Sequence, residues 1–248
     1  MQLHEMIPHR KSCRSHAETP VSPEMLADIR AFIDNAKPLY PHIRTQAEIV
    51  PMTSARWLQK WRTPHALAIY SEETEGWWEN IGFIFQQVDL YMQSLGLGVC
   101  WVGLGWPKDG NDEESENRPL RPDGLRFGIY LVFGHRENDD FRKDASEFNR
   151  KPLDDMTDLP DPRLECVRLA PSATNSQPWF FLHDGDVLHA YCVIHGPLKK
   201  RTLGNMNKID MGIGLAHLYV SNMETFEFFK AENPPEKDGH YYVGSVRI

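Results

Sequence analysis

The chain has 248 residues, 41% of them hydrophobic, with seven Trp and twelve Phe; this excludes a disordered chain and allows a substantial buried core. A formal net charge of −8 lends no support to a nucleic-acid partner, so any functional cation must act locally. Four scattered cysteines, Cys13, Cys100, Cys166 and Cys192, show no CxxC spacing, which argues against a disulfide framework or a zinc site and for free thiols in a reducing compartment.

The opening MQLHEMIPHRKSCRSH is polar and basic and contains no apolar leader segment, so a cytoplasmic protein is expected. Ser22 before Pro23 predicts a capped helix, and Met25, Leu26, Ile29, Phe32 and Ile33 carry its apolar spacing until Pro38 and Pro41 end it. His65 to Ser71 reads as a strand. Trp77 to Leu95 predicts an amphipathic helix that stops at Gly96 and Gly98. Its Gln86, Gln87, Asp89 and Gln93 also rule this apolar stretch out as a membrane span. VCWVG follows as a strand, Asp109 to Arg126 as a polar surface excursion, and Phe127 to Gly134 as a buried strand. His135 to Asp161 is a charged connection.

The pattern then starts again. Pro162 to Leu169 predicts a short helix, Trp179 to His183 a strand, Asp184-Gly185 a hairpin turn and Val187 to Ile194 the return strand. Ile209 to Asn222 predicts a second amphipathic helix, and YYVGSVRI closes the chain as a strand. Setting Ile81 against Ile209 aligns Leu90-Tyr91 with Leu218-Tyr219, which favours a degenerate internal duplication. The halves are taken as 1–155 and 156–248, packed as one unit.

Two stretches could carry chemistry. RKSCRS, Arg10 to Ser15, gathers three cations and two hydroxyls, which suits a phosphate monoester or a plain charged arm. LAPSATNSQPWFF, Leu169 to Phe181, packs short hydrogen-bonding side chains between apolar segments. Those side chains could simply cap turns, or Asn175 and Gln177 could offer paired donors and acceptors to a planar heteroaromatic ligand. Metal sites find little support: HEMIPH is one residue too long for HExxH and contains Pro8, and a turn falls between His183 and the evenly spaced His189 and His195.

RKSCRS resembles the RRSxR opening of the FMN-dependent nitroreductase family, and LAPSATNSQPWFF resembles its APSxxNxQPW loop. SLGLGVCWVG, Ser94 to Gly103, is similar to the glycine-rich end of that family's long helix, and NRKPLDDM to its late basic-Pro segment. IDMGIGLAHL resembles the partner helix of a subgroup labelled putative nitroreductase, in which one chain carries two related halves. The resemblance implies an α+β nitroreductase-like fold, with two degenerate halves standing in for the usual homodimer. The APSxxNxQPW loop here falls in the second half rather than early in the chain, a departure that fits such a duplication.

By motif, the resemblance implies that Arg10, Lys11, Ser12 and Arg14 hold the phosphate and ribitol of FMN, with Arg150 and Lys151 completing that site. Pro171, Ser172, Ala173, Asn175 and Gln177 would meet the isoalloxazine, and the backbone of Gly103 and Leu104 would lie near its N5 and O4. Lys11 stands where Arg is commoner, keeping the charge and losing the fork. The implied activity is ping-pong hydride transfer from NAD(P)H through FMN to a nitroaromatic, quinone or similar small oxidant, with no catalytic side chain required. A flavin carrier or redox sensor on the same fold is the alternative. Expected partners are the nicotinamide and the oxidant, without nucleic acid or membrane, in a monomer or a homodimer. Trp57, Trp61, Trp77, Trp78 and Trp106 are candidates to shape the open flavin face or to pack in the core.

Overall fold

The computed structural model describes residues 2–57, 60–107, 121 and 123–248, excluding the side chains of 198–202; most of the polar excursion from Asp109 to Arg126 therefore lies outside the described residues. Helix α1 spans Pro23–Asn35, where Ser22 Oγ accepts the Met25 amide at 3.2 Å and Pro23 fills the first turn. Strands β1 (Thr45–Pro51), β2 (Ala55–Trp57) and β3 (His65–Ser71) follow, then helix α2 (Trp77–Ser94). Strands β4 (Leu97–Val102), β5 (Gly105–Pro107) and β6 (Arg126–His135) complete the first group.

The second group contains the short helix α3 (Glu165–Arg168), the hairpin β7 (Trp179–Asp184) and β8 (Val187–Val193), helix α4 (Pro197–Ser221), and strands β9 (Glu227–Phe229) and β10 (His240–Arg247). Strands β1, β2, β5 and β9 were not apparent from sequence, and α4 starts twelve residues before the expected Ile209. Its early turns, PLKKRTLGNMNK, lack an apolar period, but Pro197 fits a first helical turn.

Two four-stranded antiparallel sheets run β1-β3-β6-β4 and β7-β8-β10-β9. In each, a first pair of strands precedes the long helix, a second pair follows it, and the fourth strand in chain order sits between the second and third. One core joins the inward residues of both sheets, such as Leu67, Leu131, Phe181 and Val246, to those of α2 and α4.

Helices α2 and α4 cross at very close range. A Cβ at Gly82 would lie 2.1 Å from the Ile209 carbonyl oxygen, and one at Gly212 would lie 2.0 Å from that of Glu79. The contact exchanges Gly82 with Gly212 and Glu79 with Ile209, each pair 130 residues apart. The helices therefore correspond two residues out of step with the alignment of Ile81 on Ile209.

Helix α2 is not amphipathic. All its residues but Tyr91 and Ser94 are buried, polar ones included. Gln87 Nε2 donates to the Lys37 carbonyl at 2.8 Å, and Asn80 Oδ1 accepts the Tyr40 amide at 2.9 Å. These polar side chains satisfy backbone groups of the loop before β1, where an unpaired amide or carbonyl would be costly.

The other face of the first sheet carries its own cluster, Ala55, Tyr70, Phe127 and Tyr130 among them, under the β2–β5 ribbon, where Trp57 lies 4.6 Å from Tyr130. No helix among the described residues is long and apolar enough to cross a membrane.

Candidate functional site

The RKSCRS segment runs along the first sheet's edge, with Ser12 bridging Val99 of β4 in parallel and the Cys13 amide donating to the Val99 carbonyl at 2.9 Å. Arg10 is 1% exposed, lies 3.7 Å from Asp89 of α2, and donates through Nη2 to Ser12 Oγ at 3.2 Å. Burial opposes both charges of the Arg10–Asp89 pair, holding the guanidinium below its usual range and the carboxyl above. Lys11 points elsewhere, its ammonium 3.1 Å from Asp140. Arg14 is exposed and has no hydrogen bond or ion pair with any described residue.

The second stretch is tightly built. Thr174, Asn175 and Gln177 have φ of 53°, 58° and 48°, three left-handed non-glycine residues within four positions. Each such residue costs of order 1 kcal/mol, so its surroundings must impose it. Arg150 Nη1 donates to Asn175 Oδ1 at 2.7 Å, and Asn175 Nδ2 to the Asn149 carbonyl at 2.9 Å. The Lys151 amide donates to Gln177 Oε1 at 2.8 Å, Gln177 Nε2 to the Asn175 carbonyl at 3.1 Å, and the Gln177 amide to Ser172 Oγ at 2.9 Å. The expected site residues Arg150, Lys151, Ser172, Asn175 and Gln177 thus form one network. Within it, the side chains of Asn175 and Gln177 are engaged in holding the loop.

Residues 141–151 link the two stretches. Arg142 donates its amide to the His9 carbonyl at 3.0 Å and a guanidinium hydrogen to that of Arg10. Arg142 and Arg150 both lie over the Phe148 ring, at 4.0 and 5.3 Å. Phe148 packs with Met6, Ile7, Leu90, Leu169 and Val220, the cluster from which both stretches emerge. Burial first, then Arg10, Arg142 and Arg168, lower the Arg150 pKa to about 10.

Among the described residues, the buried Nε atoms of Arg10 and Arg150 have no hydrogen-bond partner. Crowded, partly unsatisfied guanidinium groups of this kind fit an anionic group such as a phosphate.

Sequence reasoning missed two residues beneath the loop. Asp210 is buried, and its Oδ1 accepts the Ala173 amide at 3.0 Å while Oδ2 accepts Asn207 Nδ2 at 2.7 Å. Asn207 also donates to Ser176 Oγ at 2.9 Å and accepts from His195 Nε2 at 2.6 Å. Two polar residues three apart, interrupting the apolar run of a helix, were the available signal. The neighbouring Met206 reaches the end of β4, its Cε 2.4 Å from where a Cβ on Gly103 would lie. Gly103 and the 171–177 loop are thereby brought to the same middle stretch of α4, with Leu104 exposed beside Gly103. Trp77 and Trp78 are buried core residues, whereas Trp106 is exposed on β5.

A buried hydrogen-bond chain crosses between the sheets nearby. Trp101 Nε1 donates to Gln86 Oε1 at 3.1 Å, Gln86 Nε2 meets His217 Nε2 at 3.2 Å, and His217 Nδ1 meets the Cys166 carbonyl at 2.9 Å. The carbonyl requires the proton on Nδ1, leaving Nε2 to accept from Gln86. Burial, reinforced by Arg10 and Arg150, pushes His217 down to about 3, so the ring stays neutral.

Asp210 yields a pH prediction. Burial raises its pKa from 3.8 to about 7, so the folded chain retains a proton that the unfolded chain releases, and stability falls as pH rises between these values. Asp210→Asn should remove this decline and raise the melting temperature at pH 8. The substitution forfeits one acceptor, about 1 kcal/mol, against the larger cost of a buried carboxylate. Melting curves of both proteins from pH 4 to 8 are the check; parallel curves would refute it.

No curated protein matches the chain. Among solved structures, a putative nitroreductase of Thermotoga maritima aligns over 99% of this chain and 92% of its own, with 19% identity and a TM-score of 0.63. An FMN-dependent nitroreductase of Clostridium difficile covers 61% of this chain and 97% of its own (15% identity, TM-score 0.45). A putative nitroreductase in complex with FMN from Desulfovibrio desulfuricans covers 64% and 98% (16% identity, TM-score 0.44). The Thermotoga alignment establishes a mixed helix-and-sheet nitroreductase fold over nearly the full chain. Residues 2–222 match the family described as "Putative TM nitroreductase", and the chain belongs to that family.

Proposed function

We propose that the chain is an FMN-dependent oxidoreductase that accepts hydride from NADH or NADPH and passes it to a nitroaromatic, a quinone or a similar small oxidant. The observation carrying this reading is the crowding of Arg10, Arg142 and Arg150 between the RKSCRS segment and a strained small-residue loop, with the buried Nε of Arg150 lacking a hydrogen-bond partner among the described residues. When bound, FMN supplies the redox chemistry at its N5 position.

The chain's own residues bind and orient. Ser12 and the exposed guanidinium of Arg14 hold the phosphate, while Arg10 and Arg150 add positive charge beside it. Pro171, Ser172 and Ala173 are small enough to let a planar ring approach. Asn175, Gln177 and Lys151 fix the loop, and the backbone N–H groups of Gly103 and Leu104 would serve as donors to the bound ring. No side-chain base is needed.

The test is an absorption spectrum of protein supplied with FMN, followed by anaerobic titration with NADH and with NADPH. Bleaching by either nicotinamide, with colour returning on adding a quinone or nitroaromatic, is the expected result. Protein that stays colourless overturns the reading, and coloured protein that neither nicotinamide bleaches is a flavin carrier. Arg14→Ala should weaken FMN binding roughly 10- to 100-fold without moving the unfolding midpoint, because Arg14 is exposed and has no partner among the described residues. Fluorescence titration reads this directly; unchanged affinity removes Arg14 from the site.

A further inference from the structure

The exchange of Gly82 with Gly212 at the α2–α4 crossing defines an internal dyad, so the place where Gly103 and the 171–177 loop meet α4 has a counterpart across that dyad. By this correspondence Asn80 of α2 matches Asp210 of α4. The match extends to hydrogen bonding: Asn80 Oδ1 accepts the Tyr40 amide at 2.9 Å, as Asp210 Oδ1 accepts the Ala173 amide at 3.0 Å. The loop before β1 is thus the counterpart of the loop before β7, with Tyr40 standing where the other has Ala173.

We infer that the chain holds one flavin and not two, because its own Tyr40 and Lys230 fill the counterpart cleft; this rests on the flavin reading above. Tyr40 Cε2 lies 2.6 Å from where a Cβ on Gly76 would be, and Gly76 is the counterpart of Met206. The ring meets Phe228 of β9 edge-on at 5.4 Å, and Lys230 Nζ sits 5.9 Å from its centre. By the same correspondence Lys230 stands where β4 has Cys100, and its Nζ donates to the Val243 carbonyl beside the Tyr40 ring. Burial, with Glu79 and Glu75 adding to it, raises the Tyr40 hydroxyl pKa and keeps the ring neutral.

The counterpart cleft also lacks a basic segment. Arg10 to Ser15 lies along β4, the first sheet's edge. In the second sheet the segment before α3 bridges instead through Thr157 to Phe181 of β7. Among the described residues, β9 pairs only with β10. Among the described residues, no basic segment lies along β9 as Arg10 to Ser15 lies along β4.

The full chain is titrated with FMN by calorimetry, with flavin fluorescence as a second readout. One equivalent per chain is expected. Two equivalents overturn the inference alone, whereas none overturns the flavin reading and the inference with it. Ala173→Tyr puts into the open cleft the side chain that fills the other, and should weaken FMN binding on the order of 100-fold or more at unchanged circular dichroism. Affinity equal to that of the unaltered chain overturns the inference, and if this variant fails to fold the stoichiometry decides. Tyr40→Ala should retain the single site at its original affinity; loss of binding in folded Tyr40→Ala would put the flavin in the wrong cleft and overturn the assignment.

Discussion

Gly82→Ala should destabilise the fold by about 3–5 kcal/mol, among the largest effects expected of any single substitution. The new methyl would sit 2.1 Å from the Ile209 carbonyl oxygen, which belongs to helix backbone and cannot rotate aside. Relief requires α2 and α4 to separate, and one continuous core spans these helices and both sheets. Gly212→Ala should behave alike, since its methyl would meet the Glu79 carbonyl at 2.0 Å. Urea unfolding of both variants gives the magnitude. A loss below about 1 kcal/mol would show that the helices adjust without strain.

Asp89→Ala should cost about 3–5 kcal/mol for an electrostatic reason: it leaves Arg10 in the interior without its counter-ion. The pair adds little net stability, because burial penalises both charges, but either charge alone is worse. Replacing both, with Arg10→Met and Asp89→Leu together, should therefore recover most of the loss. A double-mutant cycle by chemical denaturation distinguishes the cases; if the double variant is as unstable as Asp89→Ala, the uncompensated charge is not the cause.

Local sequence revealed elements whose apolar pattern is self-contained. Strands β3 and β6 and the start of α1 were legible because continuous apolar runs or a Ser-Pro cap mark them. Strand β1, TQAEIVP, was not, since it lies half-exposed at a sheet edge, with Ala47 and Ile49 partly buried against the main core and Val50 against the cluster on the other face. The polar residues of α2 misled for a different reason: their partners, such as Lys37, Tyr40 and His217, are distant in sequence. In the site, the motif picked out the 171–177 loop and its basic neighbours, Arg150 and Lys151, which the fold joins. It left out Asp210 and Asn207, which support that loop from a helix more than thirty residues later. The direction of Lys11, towards Asp140, depends on the fold around residues 136–140 and has no local signature.

The bridge between Ser12 and Val99 has a consequence for synthesis. Residues 10–14 are made before the edge they join, and the helix carrying Asp210 is made later still. At roughly 5–20 residues per second, this segment waits about 10–40 s before every part of the cleft exists. Asp89, Val99 and Asp140 are all made before that, so the segment can dock on the first sheet early, whereas the 171–177 loop gains its support only when α4 is made, and cofactor capture must follow that step.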